Sequence, residues 1–406
     1  MTHRPSHSRI GRRDRRAMWP ALLASTLTLV TSFTSSGCDS DGCGPGGCGP
    51  DASDEPSRFV VGTAAYEWVD EARPEPFTEA ADDHRIVPVR AWYPADATGA
   101  ERAPYFLGAL QAELTAASIG LPPDTFASLQ VSASIDAPLA ASLPDDSSPF
   151  PVLIFSPGMS TPPEFYSYQL ADLASRGYVV FALGHPYATG NIVFSDGSVA
   201  PELPEMPADD ARDRSIATWS LDQRFVLSRV QELALPGSGD RMAGRIDLAQ
   251  VGVFGHSRGG AAAAQSCLED ARFAACADLD GSVSTVVLET PPSRPFLLMR
   301  SELNDVTLDP FFARLAGPAH QIRIAGAGHN SFSDLPRVVR DLQLPLDPED
   351  MLLGSLAAER TFEINAAYLD AFFSAELRAA SDDWFFEPPP FEEVEVTHGG
   401  SFTTGR

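Results

Sequence analysis

The sequence predicts an α/β fold: a mostly parallel central sheet flanked by helices, with a lid of loops and helix inserted above it. Three observations lead there. Short apolar runs rich in β-branched residues recur at 152–155, 178–183 and 251–254, and such runs read as strands buried on both faces. Helix-forming stretches alternate with them, as parallel strands require. The third run leads directly into Gly255-His-Ser-Arg-Gly-Gly260 and then Ala261 to Ala264, which gives a strand, a sharp turn and a helix.

Read from the start, the chain opens with Arg4, Arg9, Arg12, Arg13, Arg15 and Arg16, a moderately apolar stretch over 18–33, and Ser35-Ser-Gly-Cys38. The apolar stretch is too short and too rich in Ser and Thr for a membrane span. These features read as an export signal over 1–37 of lipoprotein type, with Cys38 lipidated after cleavage. Plain secretion is the alternative, because Ser35 stands where such a site usually has Leu. Either way the protein is expected outside the cytoplasm, anchored in the cell envelope through Cys38 or secreted. Residues 38–56 are mainly Gly, Asp, Ser, Pro and Cys, a flexible linker that cannot bury a core. Its Cys43 and Cys48 lack the histidines or Cys-x-x-Cys pairs of a zinc site, so no metal is expected.

The body of the chain is expected over 57–380, with a C-terminal tail over 381–406. The stretch 101–149 adds a helical segment at 105–118 and Pro-rich loops. Residues 187–214 form a long, acidic, Pro-containing connection of the kind that serves as a lid. The helix expected at 215–233 carries Trp219, Phe225, Val226 and Val230 on or near one face, which reads as core. His185, just after the strand at 178–183, reads better as a structural histidine than as a pocket wall. A last helix is expected at 361–377, and Trp384-Phe-Phe-Glu-Pro-Pro-Pro390 as a segment that packs back on the body or trails loosely. Cys267 and Cys276 flank the end of the helix after Ser257, and an exported chain could join them or keep both as thiols.

Chemistry enters at Gly255-x-Ser257-x-Gly259, the nucleophile-elbow pattern of the α/β-hydrolase fold. The turn strains the serine backbone and presents Oγ at the top of the sheet, and the glycines let strand and helix approach. A nucleophilic serine needs a base oriented by a carboxylate, in the chain order Ser, acid, His. Downstream of Ser257 lie His320, His329 and His398. His329 follows an alternating strand and a Gly-rich loop, at the strand end where open α/β sheets build their sites. His320 would sit at the wrong end of that strand, and His398 lies in the polar tail. Two acids fit: Asp280, ending the strand after the elbow helix, and Asp305, after the next strand. Spacing alone favours Asp305. Asp278 alternates with Asp280 and should face the other way, as a cap or a salt-bridge partner.

From about residue 57 to 380 the chain resembles the plasma-type platelet-activating-factor acetylhydrolases and their bacterial relatives. The resemblance rests on Gly255-His-Ser-Arg-Gly-Gly260, Leu268-Glu-Asp-Ala-Arg-Phe273, Ala277-Asp-Leu-Asp280, Arg294-Pro-Phe-Leu-Leu-Met-Arg-Ser-Glu302 and Gly328-His-Asn-Ser-Phe-Ser-Asp334. Upstream it includes Val89-Arg-Ala-Trp-Tyr-Pro94 and Pro149-Phe-Pro-Val-Leu-Ile-Phe-Ser-Pro-Gly-Met159. It implies an acid in a Leu-Asp pair just after the elbow helix, which moves the assignment to Asp280 with Asp305 as runner-up. It also implies hydrolysis of short-acyl esters, as at the middle glycerol carbon of an acetylated ether phospholipid. Where the family has His-Gly in the oxyanion loop, this chain has Pro157-Gly158. The oxyanion donors are backbone N–H groups, expected from Met159 and Arg258, so that departure need not abolish function. The implied mechanism needs no cofactor.

Charge narrows the partners. The formal net charge is −26, and the arginine cluster lies in the segment expected to be removed, so the mature chain is more acidic still. That argues against nucleic acid and against electrostatic binding to anionic lipid. It leaves small-molecule or phospholipid esters open. No basic cluster stands out in the sequence to grip a phosphate.

Overall fold

The structure, a computed structural model, describes residues 58–80, 82–96, 101–141, 143, 149–203, 211–302, 308–349 and 351–401. The expected export segment, Cys38, the linker and Asp305 lie outside the described residues, as does 204–210 of the expected lid.

The body begins with the hairpin β1 (Val60–Pro74) and β2 (His84–Ala95). An insertion follows: β3 (Arg102–Pro104), α1 (Ala109–Ser118) and β4 (Gln130–Ile135). Then come β5 (Phe150–Ser156), α2 (Ser167–Ser175) and β6 (Val179–Leu183), the small hairpin β7 (Ile192–Val193) and β8 (Val199–Ala200), and the long α3 (Ala211–Leu233). The second half runs β9 (Ile246–His256), α4 (Arg258–Glu269), β10 (Ala275–Leu279), α5 (Thr285–Glu289), β11 (Phe296–Ser301), α6 (Asp309–Phe312) and β12 (Ala319–Ile324). It closes with α7 (Leu335–Asp341), α8 (Ala358–Arg378), α9 (Asp383–Phe386) and β13 (Val394–Gly399).

Eleven strands form one sheet in the order β13-β12-β11-β10-β9-β5-β6-β2-β1-β4-β3. From β12 to β6 every neighbouring pair is parallel, and β2 joins β6 antiparallel. This is the α/β-hydrolase architecture that the alternating strands and helices predict. Every residue of β5, β6, β10 and β11 is buried, which is why these strands are mostly apolar, with Asp278 of β10 and Arg300 of β11 as buried charged exceptions. Alternate side chains feed two cores. Leu153 and Phe155 of β5 pack with α2 and α8 on one face, while Val152 and Ile154 pack with α3 and α4 on the other. Helix α3 docks through Ile216, Trp219, Gln223, Val226, Leu227 and Val230, a spacing of three and four residues that makes one stripe. Phe225, expected on that stripe, is only partly buried.

Two expectations are revised and one left open is resolved. Residues 381–399 are not a tail outside the domain. Strand β13 pairs antiparallel with β12 from Ala319↔Gly399 to Ile324↔Val394, and α9 buries Phe385 against the core. His398 therefore stands on the sheet edge opposite His320, with their Nδ1 atoms 3.1 Å apart. His320, at the start of β12, and His398 beside it on β13 lie far along the sheet from His329. The helix expected from 105 starts only at Ala109, because Tyr105 and Phe106 are buried ahead of it and Gly108 caps it in extended backbone. Cys267 and Cys276, left open as thiols or a bridge, form a disulfide that ties the end of α4 to β10.

Candidate active site

Strand β9 ends at His256 and α4 starts at Arg258, so Ser257 alone makes the turn. Its φ of 55° and ψ of −116° put a non-glycine residue in strained backbone, at an intrinsic cost of about 1–3 kcal/mol. The surroundings hold it there: its N–H donates to Leu279 O at 2.9 Å. A Cβ on Gly255 would come within 2.4 Å of the Gly259 carbonyl carbon, and one on Gly259 within 2.2 Å of Ser156 O. Only glycine fits at either place, the physical content of the motif.

His329 lies in a single 3-10 turn, His329–Phe332, reached from β12 through Ala325-Gly-Ala-Gly328. The turn is held from outside. Asn330 N–H donates to Leu352 O, Asn330 Nδ2 to Met351 O, Ser331 Oγ to Leu353 O, and Asn365 Nδ2 of α8 to Ser331 O. Asp280 caps β10, also at positive φ, 54°. Its Oδ1 accepts the Ser301 N–H at 2.8 Å and its Oδ2 lies 3.0 Å from Ser301 Oγ, at the end of the neighbouring β11.

These three side chains meet. His329 Nδ1 lies 2.6 Å from Asp280 Oδ2, and His329 Nε2 lies 2.9 Å from Ser257 Oγ. A carboxylate only accepts, so Nδ1 carries the proton and donates to it. Nε2 is then bare and accepts the Ser257 hydroxyl. Asp280 is almost fully enclosed while His329 is one-third exposed, so the arrangement opens to substrate at the serine end. Asp278 faces away, as its alternation predicts: its Oδ1 accepts the Gly281 N–H at 2.8 Å, and Oδ2 has no hydrogen-bond partner among the described residues. Burial raises its carboxyl well above the usual range, helped by the charge of Asp280. It acts as a cap, with no salt bridge among the described residues.

The loop after β5 carries Met159. Its residue walls a cavity of about 250 Å³ that also takes in Ser257, His329, Ile119, Phe165 and Met351. A second cavity, of about 880 Å³, adjoins it and shares Met159 and Ser160. Arg258 lines that larger space, as do Arg214, Phe77, Tyr187 and Leu203. Two arginines thus line one cavity, which the spread of arginines along the sequence does not reveal.

Sequence reasoning missed several residues that hold this site, because each acts across a long gap in the chain. Tyr166 Oη lies 3.0 Å from Gly158 N and 2.7 Å from His256 Nδ1, and His256 Nε2 lies 2.9 Å from His329 O. Asp334 Oδ2 accepts from Tyr105 Oη at 3.0 Å and from Tyr168 N at 2.8 Å, which fastens the His329 loop to α2. His185 is the structural histidine its position suggests. Fully buried, it stacks on Trp219 with centroids 4.1 Å apart, and it bonds Asp222 Oδ2 at 2.8 Å and Ser156 Oγ at 2.9 Å. Asp222 in turn meets the buried Arg85 at 2.7 Å. Among the described residues no cluster of three or more His, Cys, Asp or Glu side chains could hold a metal ion.

Comparison with known proteins fits this geometry. The family model for platelet-activating factor acetylhydrolase, isoform II, matches residues 82–234 and 234–345. A protein of Arthroderma benhamiae described as a probable 1-alkyl-2-acetylglycerophosphocholine esterase is 28% identical over 283 residues, 62% of this chain and 66% of that protein. The match therefore spans just under two thirds of that relative's length. The solved structure of a ferulic acid esterase from Streptomyces cinnamoneus superposes with a TM-score of 0.71 at 28% identity, covering 85% of this chain and 98% of the other. The family match covers more than half of the sequence, and this chain belongs to the platelet-activating factor acetylhydrolase, isoform II, family.

Proposed function

We propose that this protein is a serine esterase that cleaves short-acyl esters, with Ser257 as nucleophile, His329 as general base and acid, and Asp280 as the orienting carboxylate. The observation that carries this reading is the hydrogen-bond chain from Asp280 through His329 to Ser257. His329 Nε2 takes the hydroxyl proton as Oγ attacks the ester carbonyl carbon. The backbone N–H groups of Met159 and Arg258 receive the oxyanion, a term worth about 3–4 kcal/mol per donor in enzymes of this kind. The imidazolium returns its proton to the leaving alkoxide, and Asp280 stabilises it meanwhile. Water, deprotonated by the same nitrogen, then releases the acid and restores Ser257.

The smaller cavity suits the acyl group and the larger one the leaving group. Each methylene that fits should gain about 0.8 kcal/mol, and one that does not fit is rejected. On this reading acetyl to butyryl esters turn over well, with a steep drop towards long chains. An acetylated ether phospholipid is a substrate, its phosphate lying on the side of Arg214 and Arg258. A second reading has an aromatic ester as the natural substrate. It draws on the likeness to the ferulic acid esterase and on the largely apolar 880 Å³ cavity. Measurement of kcat/KM for 4-nitrophenyl esters of two to sixteen carbons, with the acetylated phospholipid and an alkyl ferulate alongside, decides between them. An optimum at twelve carbons or longer would contradict the short-acyl reading, and preference for the ferulate would favour the aromatic one.

We also propose that the chain is exported, with Cys38 as its lipid anchor. This rests on the order of basic stretch, apolar stretch and Ser-Ser-Gly-Cys in the sequence.

A further inference from the structure

We infer that Tyr166 and His256 are positioning residues, a hydrogen-bonded strut that sets the oxyanion loop and the catalytic histidine loop in one fixed relation. The inference rests on the proposed serine-esterase mechanism and adds to it two side chains that touch none of the reacting atoms.

The roles along the strut follow from what each group can do. The backbone carbonyl of His329 only accepts, so His256 Nε2, 2.9 Å away, must carry a proton and donate it. His256 is buried, and burial, with the neighbouring His329 ring, lowers its basicity to about 3, so the imidazole is neutral. With Nε2 protonated, Nδ1 is bare and accepts. Its partner at 2.7 Å is Tyr166 Oη, whose phenol burial keeps protonated, so the tyrosine donates. The oxygen's remaining lone pairs face Gly158 N, which donates at 3.0 Å. Each donor therefore has one acceptor, and the proton positions have a single consistent solution: Gly158 N–H to Tyr166, Tyr166 O–H to His256, His256 N–H to His329 O.

The ends of the strut are the two loops whose relative placement the mechanism demands. Gly158 immediately precedes Met159, the proposed oxyanion donor, and its peptide orientation sets the direction of the next N–H. The His329 carbonyl belongs to the residue whose imidazole bonds Ser257. The strut passes under the nucleophile through the residue before it. The His256 ring lies 4.6 Å from the His329 ring and stacks on Phe332, while the Tyr166 ring packs on Phe155 at 4.8 Å. Both side chains are buried. Catalytic groups misplaced by about 1 Å can lose on the order of 100-fold in rate, so a side chain that holds two such loops acts on turnover more than on substrate binding.

The test is a double-mutant cycle of Tyr166→Phe and His256→Phe. Active sites are titrated with a fluorophosphonate, so that folded, competent enzyme is counted. Each single variant should lose about 10- to 100-fold in kcat, with KM within about threefold of wild type. The double variant should lose no more than the worse single one, because either change breaks the same strut. A Tyr166→Phe enzyme with titrated kcat within twofold of wild type would overturn the inference, and so would losses that multiply in the double variant. If Tyr166→Phe does not fold, His256→Phe, which keeps a ring against Phe332, is judged alone by the same kcat and KM limits. Ser257→Ala measured in parallel separates the two claims. Turnover in that variant defeats the esterase mechanism itself, whereas a dead Ser257→Ala beside an unimpaired Tyr166→Phe defeats only the strut.

Discussion

At the scale of single residues, two aspartates two positions apart show how environment divides roles. Asp280 and Asp278 close the same strand, and alternation sends them to opposite sides. Asp280 holds the imidazole at 2.6 Å and also accepts from Ser301. Asp278 is buried with one oxygen on Gly281 N, and burial favours its neutral form. An amide mimics a neutral carboxyl but not a carboxylate that accepts from Nδ1–H. Asp280→Asn should therefore lower kcat by up to ~10⁴, through the wrong imidazole tautomer. Asp278→Asn should stay within about tenfold of wild type. Steady-state kinetics on the two variants, with Asp305→Asn as a third, assigns the acid. A severe loss at Asp305 with a mild one at Asp280 would return the role to the position that spacing alone favours.

At the scale of elements, the His329 loop is stapled to α2 by one buried carboxyl. Asp334 accepts from the Tyr105 hydroxyl and the Tyr168 N–H, yet burial raises its pKa to about 7. The sign of the pH dependence follows. Below about pH 4 the group is protonated both folded and unfolded. Between about 4 and 7 the unfolded chain ionises and the folded one does not, so stability falls as pH rises, and above 7 the penalty is constant. Its ceiling is on the order of 4 kcal/mol. Asp334→Asn keeps an acceptor for Tyr105 and Tyr168 and cannot ionise. Unfolding midpoints at pH 5 and pH 8 should show wild type losing more stability over that interval than the variant. Equal losses would mean that Asp334 does not titrate there. The long helix α3 makes a related point: its apolar stripe docks it, but the same face buries Asp222, which Arg85, 137 residues earlier in sequence, holds ionised despite burial.

At the scale of the whole molecule, the sequence reveals what is local and hides what is assembled. Ser257 and His329 are legible because a strand, a loop and a motif surround each of them within ten residues. The six-strand parallel core is legible because buried parallel strands are rich in apolar, β-branched residues. Asp280 needed the family resemblance, since both candidate acids end strands. Tyr166, Ser301 and Asp334 were illegible, because their roles come from contacts that 90, 21 and 166 residues of chain separate. Strand β13 escaped notice because alternation of Val394 and Val396 with polar neighbours, at a sheet edge, reads like any exposed polar segment. For the proposed anchor, Cys38→Ser should move the protein from the membrane fraction to the soluble one without loss of esterase activity, and unchanged partitioning would favour plain secretion. The measurement that reaches the central claim most directly is fluorophosphonate labelling of wild type and Ser257→Ala, followed by assay of short-acyl ester turnover in both. The account predicts stoichiometric labelling on Ser257 with loss of activity in wild type, and neither labelling nor turnover in a folded Ser257→Ala. Labelling or undiminished hydrolysis in that variant would contradict it.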